Sequence, residues 1–203
     1  MTTELPRETA AGFKSLKPTR PTPQFTEFLE TLRTVQDLAV AVNAPDEVLA
    51  DATLQAQALI DMLESHAAPE GTSFAGRAVA PGRGHLMLPA WRVETWSAEG
   101  VRAKGSFRRY HLGGNGAAHG GAIALLFDEM CGMAIFAARK PVARTAYLHV
   151  NYRNLTPLDV ELTVETRIDR TEGRKRFVVS TLTSPAGTVL ADAEALMIEL
   201  PKE

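Results

Sequence analysis

Residues 121–138, GAIALLFDEMCGMAIFAA, limit the possible folds of this chain more than any other stretch. The run is too long for an ordinary strand and apolar on all sides except for Asp128 and Glu129. A helix with no polar face must be surrounded on most sides. At 1.5 Å per residue such a helix is about 27 Å long, enough to cross a sheet.

The flanking sequence supplies the sheet. Val101, Ala103, Gly105 and Phe107 alternate with Arg102, Lys104 and Ser106, and Val160, Leu162, Val164 and Ile168 alternate with Glu161, Thr163, Glu165 and Arg167. Period-two alternation marks strands with one buried face. Turn signals at Ala98-Glu99-Gly100, Glu172-Gly173 and Pro185-Ala186-Gly187 separate the runs. Strands are predicted near 86–96, 101–109, 144–153, 158–170, 174–184 and 188–200, with a shorter one near 74–79. Pro89 makes the first an edge strand or breaks it. The predicted fold class is α+β, an antiparallel sheet curled around one central helix.

Upstream the period is helical. Thr22-Pro23 reads as an N-cap followed by proline in the first turn. Phe25, Phe28, Leu29, Leu32, Val35, Leu38 and Val42 then recur at three- and four-residue spacing. Pro45, Asp46 and Glu47 open a second helix, whose acids suit its N-terminal dipole. The expected organisation is a mobile N-terminal arm over 1–22, a helical hairpin over 23–70 and a sheet-and-helix domain over 71–203.

Composition narrows the function. Twenty-two Lys and Arg against 24 Asp and Glu leave a net charge of −2, which gives no support for a nucleic-acid partner. The single cysteine, Cys131, excludes an intrachain disulfide and a Cys-rich metal site. His85, His111 and His149 lack metal-ligand spacing. The first residues contain no apolar signal core, and no run is read as long enough to insert in a membrane, so a cytoplasmic location is expected.

The chemistry concentrates where a glycine tract meets the apolar helix. Gly113-Gly114-Asn115-Gly116-Ala117-Ala118-His119-Gly120-Gly121 runs directly into it. Glycines let backbone approach a ligand, and a helix start offers unsatisfied N–H groups. N–H groups of Gly120 and Gly121 could therefore polarise a carbonyl as an oxyanion hole. Asp128, nine residues after His119, is a carboxylate in an apolar setting and a candidate catalytic acid. Glu129 competes with it, because helical neighbours diverge by about 100° and periodicity does not choose between them.

The string HGGAIALLFDE, followed by RTAYLHVNYRNLTPLDVELTVETRIDRTEGRKRFVVSTL, resembles the hotdog-fold acyl-CoA thioesterases of the 4-hydroxybenzoyl-CoA thioesterase superfamily, the PaaI-like group in particular. The resemblance runs from about Gly113 to Leu200. It implies hydrolysis of an acyl-CoA to free acid and CoA without metal or redox cofactor. The family's helix acid falls on Asp128, as general base or nucleophile, and its carbonyl donor on Gly120. Thr145 matches a hydroxyl residue that assists in some relatives, and His119 is expected to fix the glycine loop. The resemblance also implies a homodimer or tetramer, with the glycine loop of one protomer facing the acid of the other. Asn115 and Gly116 stand where relatives contact substrate, although Asn115 lies closer to His119 than their equivalent residue does. Arg174 and Lys175, with Arg176, are candidate partners for the phosphates of CoA, and Arg108 and Arg109 form a second basic cluster. The alternatives are a non-catalytic acyl-CoA sensor or scaffold and a hotdog hydratase or dehydratase. Met133 stands where the hydratase spacing would require a histidine. Cys131 is read as a small core residue rather than a nucleophile.

Overall fold

The computed structural model describes residues 20–69 and 71–201, so the expected arm lies outside the described residues as far as residue 19. Helix α1 (Pro23–Ala41) starts where Thr22 accepts the Phe25 N–H on its side chain. Helix α2 spans Asp46–Glu64. Strands β1 (Arg92–Ser97) and β2 (Gly100–Gly105) form a hairpin, followed by a small ladder of β3 (Leu112–Gly114) and β4 (Ala117–Ala118). Helix α3 (Gly120–Ala137) leads into β5 (Ala143–Tyr152), β6 (Leu162–Glu172), β7 (Lys175–Thr183) and β8 (Val189–Glu199).

The main sheet has the order β1-β2-β6-β7-β8-β5, with every neighbouring pair antiparallel. It curls around α3. Val101, Ala103, Phe107, Leu162, Val164, Val178, Leu182, Ala191, Ala193 and Ala195 meet Leu126, Phe127, Met130, Cys131 and Ala134 of the helix. The three β8 alanines are small enough for α3 to lie close to the sheet. On length and composition alone α3 could cross a membrane, contrary to the sequence expectation that no run reaches that length. Here it is the core helix of the sheet.

Two other expectations are corrected. The segment 74–79 is a series of turns rather than a strand. The strand expected near 86–96 begins at Arg92, after the break expected at Pro89, and lies at the sheet edge. Proline at 89 cannot donate to a ladder, and the chain turns through it. The two N-terminal helices do form, yet they do not close on each other as a hairpin core. Helix α2 has no buried residue, and Val48, Leu49, Leu54, Ile60 and Leu63 are all exposed. Helix α1 instead docks on the domain. Leu29 is buried, Phe25 stacks 4.7 Å from Phe74, Arg33 donates to the Pro81 carbonyl, and Arg108 bonds Asp37 and Glu30. These contacts orient α1 by its Phe25–Leu29–Arg33 side, which leaves Val35, Leu38 and Val42 in solvent.

Candidate active site

The N-terminus of α3 is built by a tight backbone device. Gly114 and Ala117 pair across Asn115-Gly116, which have φ of +49° and +74°. Two central residues with positive φ define the hairpin turn that favours Asn-Gly. Asn115 and Gly116 are therefore explained by the turn, and both are exposed at its tip. The following N–H groups are then used one after another. Ala118 donates to the Thr156 carbonyl (2.8 Å), His119 to the His111 carbonyl (2.7 Å), and Ala122 to the His119 carbonyl (2.9 Å). The Gly121 N–H donates to His119 Nδ1 at 2.9 Å, so His119 caps the helix. The Gly120 N–H alone in this series has no acceptor among the described residues. The pair of donors expected from sequence is thus reduced to Gly120, because the cap occupies Gly121.

A cleft of about 300 Å³ opens beside Gly120, lined also by Ala118, Ile123, Tyr152, Leu155 and Thr156 among others. Tyr152 donates its hydroxyl to the Gly120 carbonyl at 3.0 Å. A Cβ added to Gly120 would sit 3.1 Å from the tyrosine ring and hydroxyl, so this close approach favours glycine.

Two turns further along α3, the two adjacent acids separate. Glu129 turns inward and pairs with Arg83, whose Nε lies 2.5 Å and Nη2 2.9 Å from its carboxylate oxygens. Burial raises the Glu129 pKa above the usual carboxylate range, and the Arg83 charge opposes the shift. Asp128 is exposed on the single chain, contrary to the expectation that this carboxylate is buried. It lies on a stripe of α3 that the sheet leaves open, with Gly121, Gly132 and Phe136. Among the described residues it is bonded by Thr145, which donates from Oγ1 to Asp128 Oδ1 at 2.7 Å.

A bulge in β5 makes that contact possible. Thr145 pairs with Met197 and Tyr147 with Leu196, so Ala146 is the extra residue. A single inserted residue exchanges the faces of a strand. Thr145 therefore shares the α3-facing side with Leu148 and Val150, whose partners are Ala195 and Ala193.

The remaining candidates sort by what already binds them. Arg174, on the turn between β6 and β7, donates to the Glu199 carbonyl at 3.4 Å, and it and Lys175, the first residue of β7, are exposed at the sheet end where Ala143 pairs with Glu199 and Lys175 with Ile198. That places them about 10 Å, two strand spacings, from the start of β5. Arg176 is buried against Glu199 at 2.6 Å, and Arg108 is held by α1, so neither is left for a phosphate. Cys131 is buried 3.9 Å from Ser180 Oγ, and burial pushes its thiol up to about 12, as suits a core residue. No group of three His, Cys, Asp or Glu among the described residues could hold a metal ion. Sequence reasoning missed Arg83 and Tyr152: one lies in a loop and the other is a strand residue, and neither carries a spacing signal.

Residues 115–191 match the family model of the thioesterase superfamily. This segment resembles the thioesterase superfamily. Over 95 residues the chain is 39% identical to acyl-coenzyme A thioesterase THEM4 of Mus musculus, a match covering 46% of this chain and 40% of the relative. The chain thus spans well under half the length of that curated relative. A crystal structure described as a thioesterase superfamily protein superposes with a TM-score of 0.77 at 24% identity, covering 90% of this chain and 95% of the other. A hypothetical thioesterase from Streptococcus pneumoniae, solved with coenzyme A, superposes with a TM-score of 0.51 at 20% identity, over 53% of this chain and 86% of that one. These likenesses show the hotdog fold.

Proposed function

We propose that the protein hydrolyses an acyl-CoA thioester to the free acid and CoA, acting as a homodimer in the cytoplasm. The observation that carries this reading is the separation of the two adjacent acids. Glu129 is neutralised by Arg83, while Asp128 faces outward, held by a hydroxyl and free to meet substrate. The Gly120 N–H polarises the thioester carbonyl, and Asp128 either takes a proton from attacking water or attacks directly. In the direct route the mixed anhydride is then cleaved by water. Either way the CoA thiolate leaves and is protonated, so water and one carboxylate balance the reaction without metal or redox cofactor. Thr145 orients the carboxylate, and Arg174 and Lys175 receive the CoA phosphates.

Distance supports a second chain. Gly120 and Asp128 lie on one helix about 12 Å apart along its axis, too far to act on one carbonyl. The open stripe of α3 and the unpaired edge of β5 offer the surface on which a second copy brings one protomer's glycine loop to the other's Asp128. The names of the matched THEM4 relatives and the CoA in a structural neighbour support the substrate class.

The test is free-thiol release from short, long and aromatic acyl-CoAs, comparing wild type with Asp128→Asn. Turnover should fall at least about a hundredfold in the variant with the oligomer intact by light scattering. Binding of acyl-CoA without turnover by well-folded wild type would replace this reading with the sensor.

A further inference from the structure

We infer that Tyr152 is a positioning residue that presets the Gly120 N–H for the thioester carbonyl; the inference rests on the hydrolase reading above. The peptide linking Gly120 and Gly121 is held at both ends. Its carbonyl oxygen accepts the Tyr152 hydroxyl at 3.0 Å, and its N–H is bound by His119 Nδ1 at 2.9 Å. The peptide before it, which carries the Gly120 N–H, is anchored through the His119 carbonyl, which accepts the Ala122 N–H at 2.9 Å. Between these fixed points Gly120 is restrained beside the cleft that the Tyr152 ring itself helps to line.

Glycine at 120 would otherwise be the freest residue in the loop. The space that a side chain would fill is occupied by Tyr152, which stands 3.1 Å from the Cβ position. The ring restrains Gly120 sterically, and the hydroxyl restrains it by hydrogen bonding. A donor already aimed at the developing oxyanion needs no reorganisation as charge builds, which is the source of its effect on the chemical step. Tyr152 acts through Gly120 and not on the reacting atoms.

Tyr152→Phe keeps the ring and removes the bond. Thiol release is measured with acetyl-CoA, benzoyl-CoA and decanoyl-CoA, and the Gly120 carbonyl resonance is followed in protein carrying [1-13C]glycine. The expected result is a shifted Gly120 resonance and a kcat lowered roughly three- to tenfold, the net weight of one neutral hydrogen bond. KM should stay within about twofold, a split that loss of substrate packing would not produce. Active wild type with an equally active Tyr152→Phe overturns the inference and leaves the hydrolase reading standing, as does an unmoved Gly120 resonance. Wild type idle on all three thioesters overturns the hydrolase reading and the inference with it.

Discussion

Lowering the pH should loosen the glycine loop through His111. The imidazole is buried between Phe107 and Tyr110, with its Nδ1 accepting the Arg108 N–H at 2.9 Å. Protonation would place a second N–H against that donor. Burial lowers the His111 pKa from 6.5 to about 4, with Asp37 opposing the shift and Arg108 reinforcing it. Because the folded value lies below the unfolded one, the unfolded chain binds the extra proton first. The stabilisation is complete above pH 6.5 and is lost as pH falls through about 4. At 1.36 kcal/mol per unit, the full shift corresponds to about 3 kcal/mol. Partial solvent screening along the α1 seam reduces this to about 2 kcal/mol. His111→Asn supplies an oxygen near Nδ1 to accept the Arg108 N–H and does not titrate. Urea unfolding of both proteins at pH 7.5, 5.5 and 4.5 gives the stability gap between them. It should narrow by about 1.5 kcal/mol from the highest to the lowest pH, since only wild type loses stability through this ring. A gap constant across the series would refute the argument. The consequence reaches the site because the His111 carbonyl anchors the His119 N–H.

Two further outcomes follow from the neighbours of Asp128. Glu129→Gln should cost about 1 kcal/mol of stability by leaving Arg83 without its carboxylate, yet retain thiol release within about threefold of wild type. A loss matching that of Asp128→Asn would reverse the assignment of the two acids. Cys131 should resist iodoacetamide at pH 8 in the native protein and react once urea exposes it, since burial pushes its thiol up to about 12. Rapid native labelling, read by mass spectrometry, would refute its place in the core.

The sequence displayed what depends on period and concealed what depends on partners. Alternation at 101–107 and 160–168 located β2 and β6, and the unbroken apolar run located α3. The same helical period located α1 and α2 but misjudged what covers them, because an apolar stripe does not name its partner. The docking of α1 is set by Arg108, more than 70 residues away in the chain. Asn115-Gly116 is a strong local hairpin signal, and the turn it predicts is found between Gly114 and Ala117. Asp128 and Glu129 could not be separated by pattern. Arg83, 46 residues upstream and held at φ +50°, separates them in space. The contact between Thr145 and Asp128 depends on a one-residue bulge that no alternation announces.

The open stripe on α3 turns the division of the site into a quantitative test. Gly120 and Asp128 lie about 12 Å apart along the helix, so the proposed two-fold pair of chains would hold two sites, each taking one residue from each chain. Gly120→Pro removes the N–H alone. Proline suits a first helical position, and His119 before it is extended (φ −62°, ψ 134°), as a residue preceding proline should be. The ring needs Tyr152 to give by a few tenths of an ångström, since its contact with the Cβ position is 3.1 Å. Asp128→Asn and Gly120→Pro should each be nearly inactive as homodimers. Unfolded together in equal amounts and refolded, they should form mixed dimers as about half of the population. Each mixed dimer carries one site with both defects and one with neither, so activity should recover to about a quarter of wild type. Recovery demands that the acid and the donor come from different chains. A refolded mixture that stays inactive, while each variant alone refolds to a dimer by light scattering, would place both residues of a working site on one chain and break the division that α3 imposes.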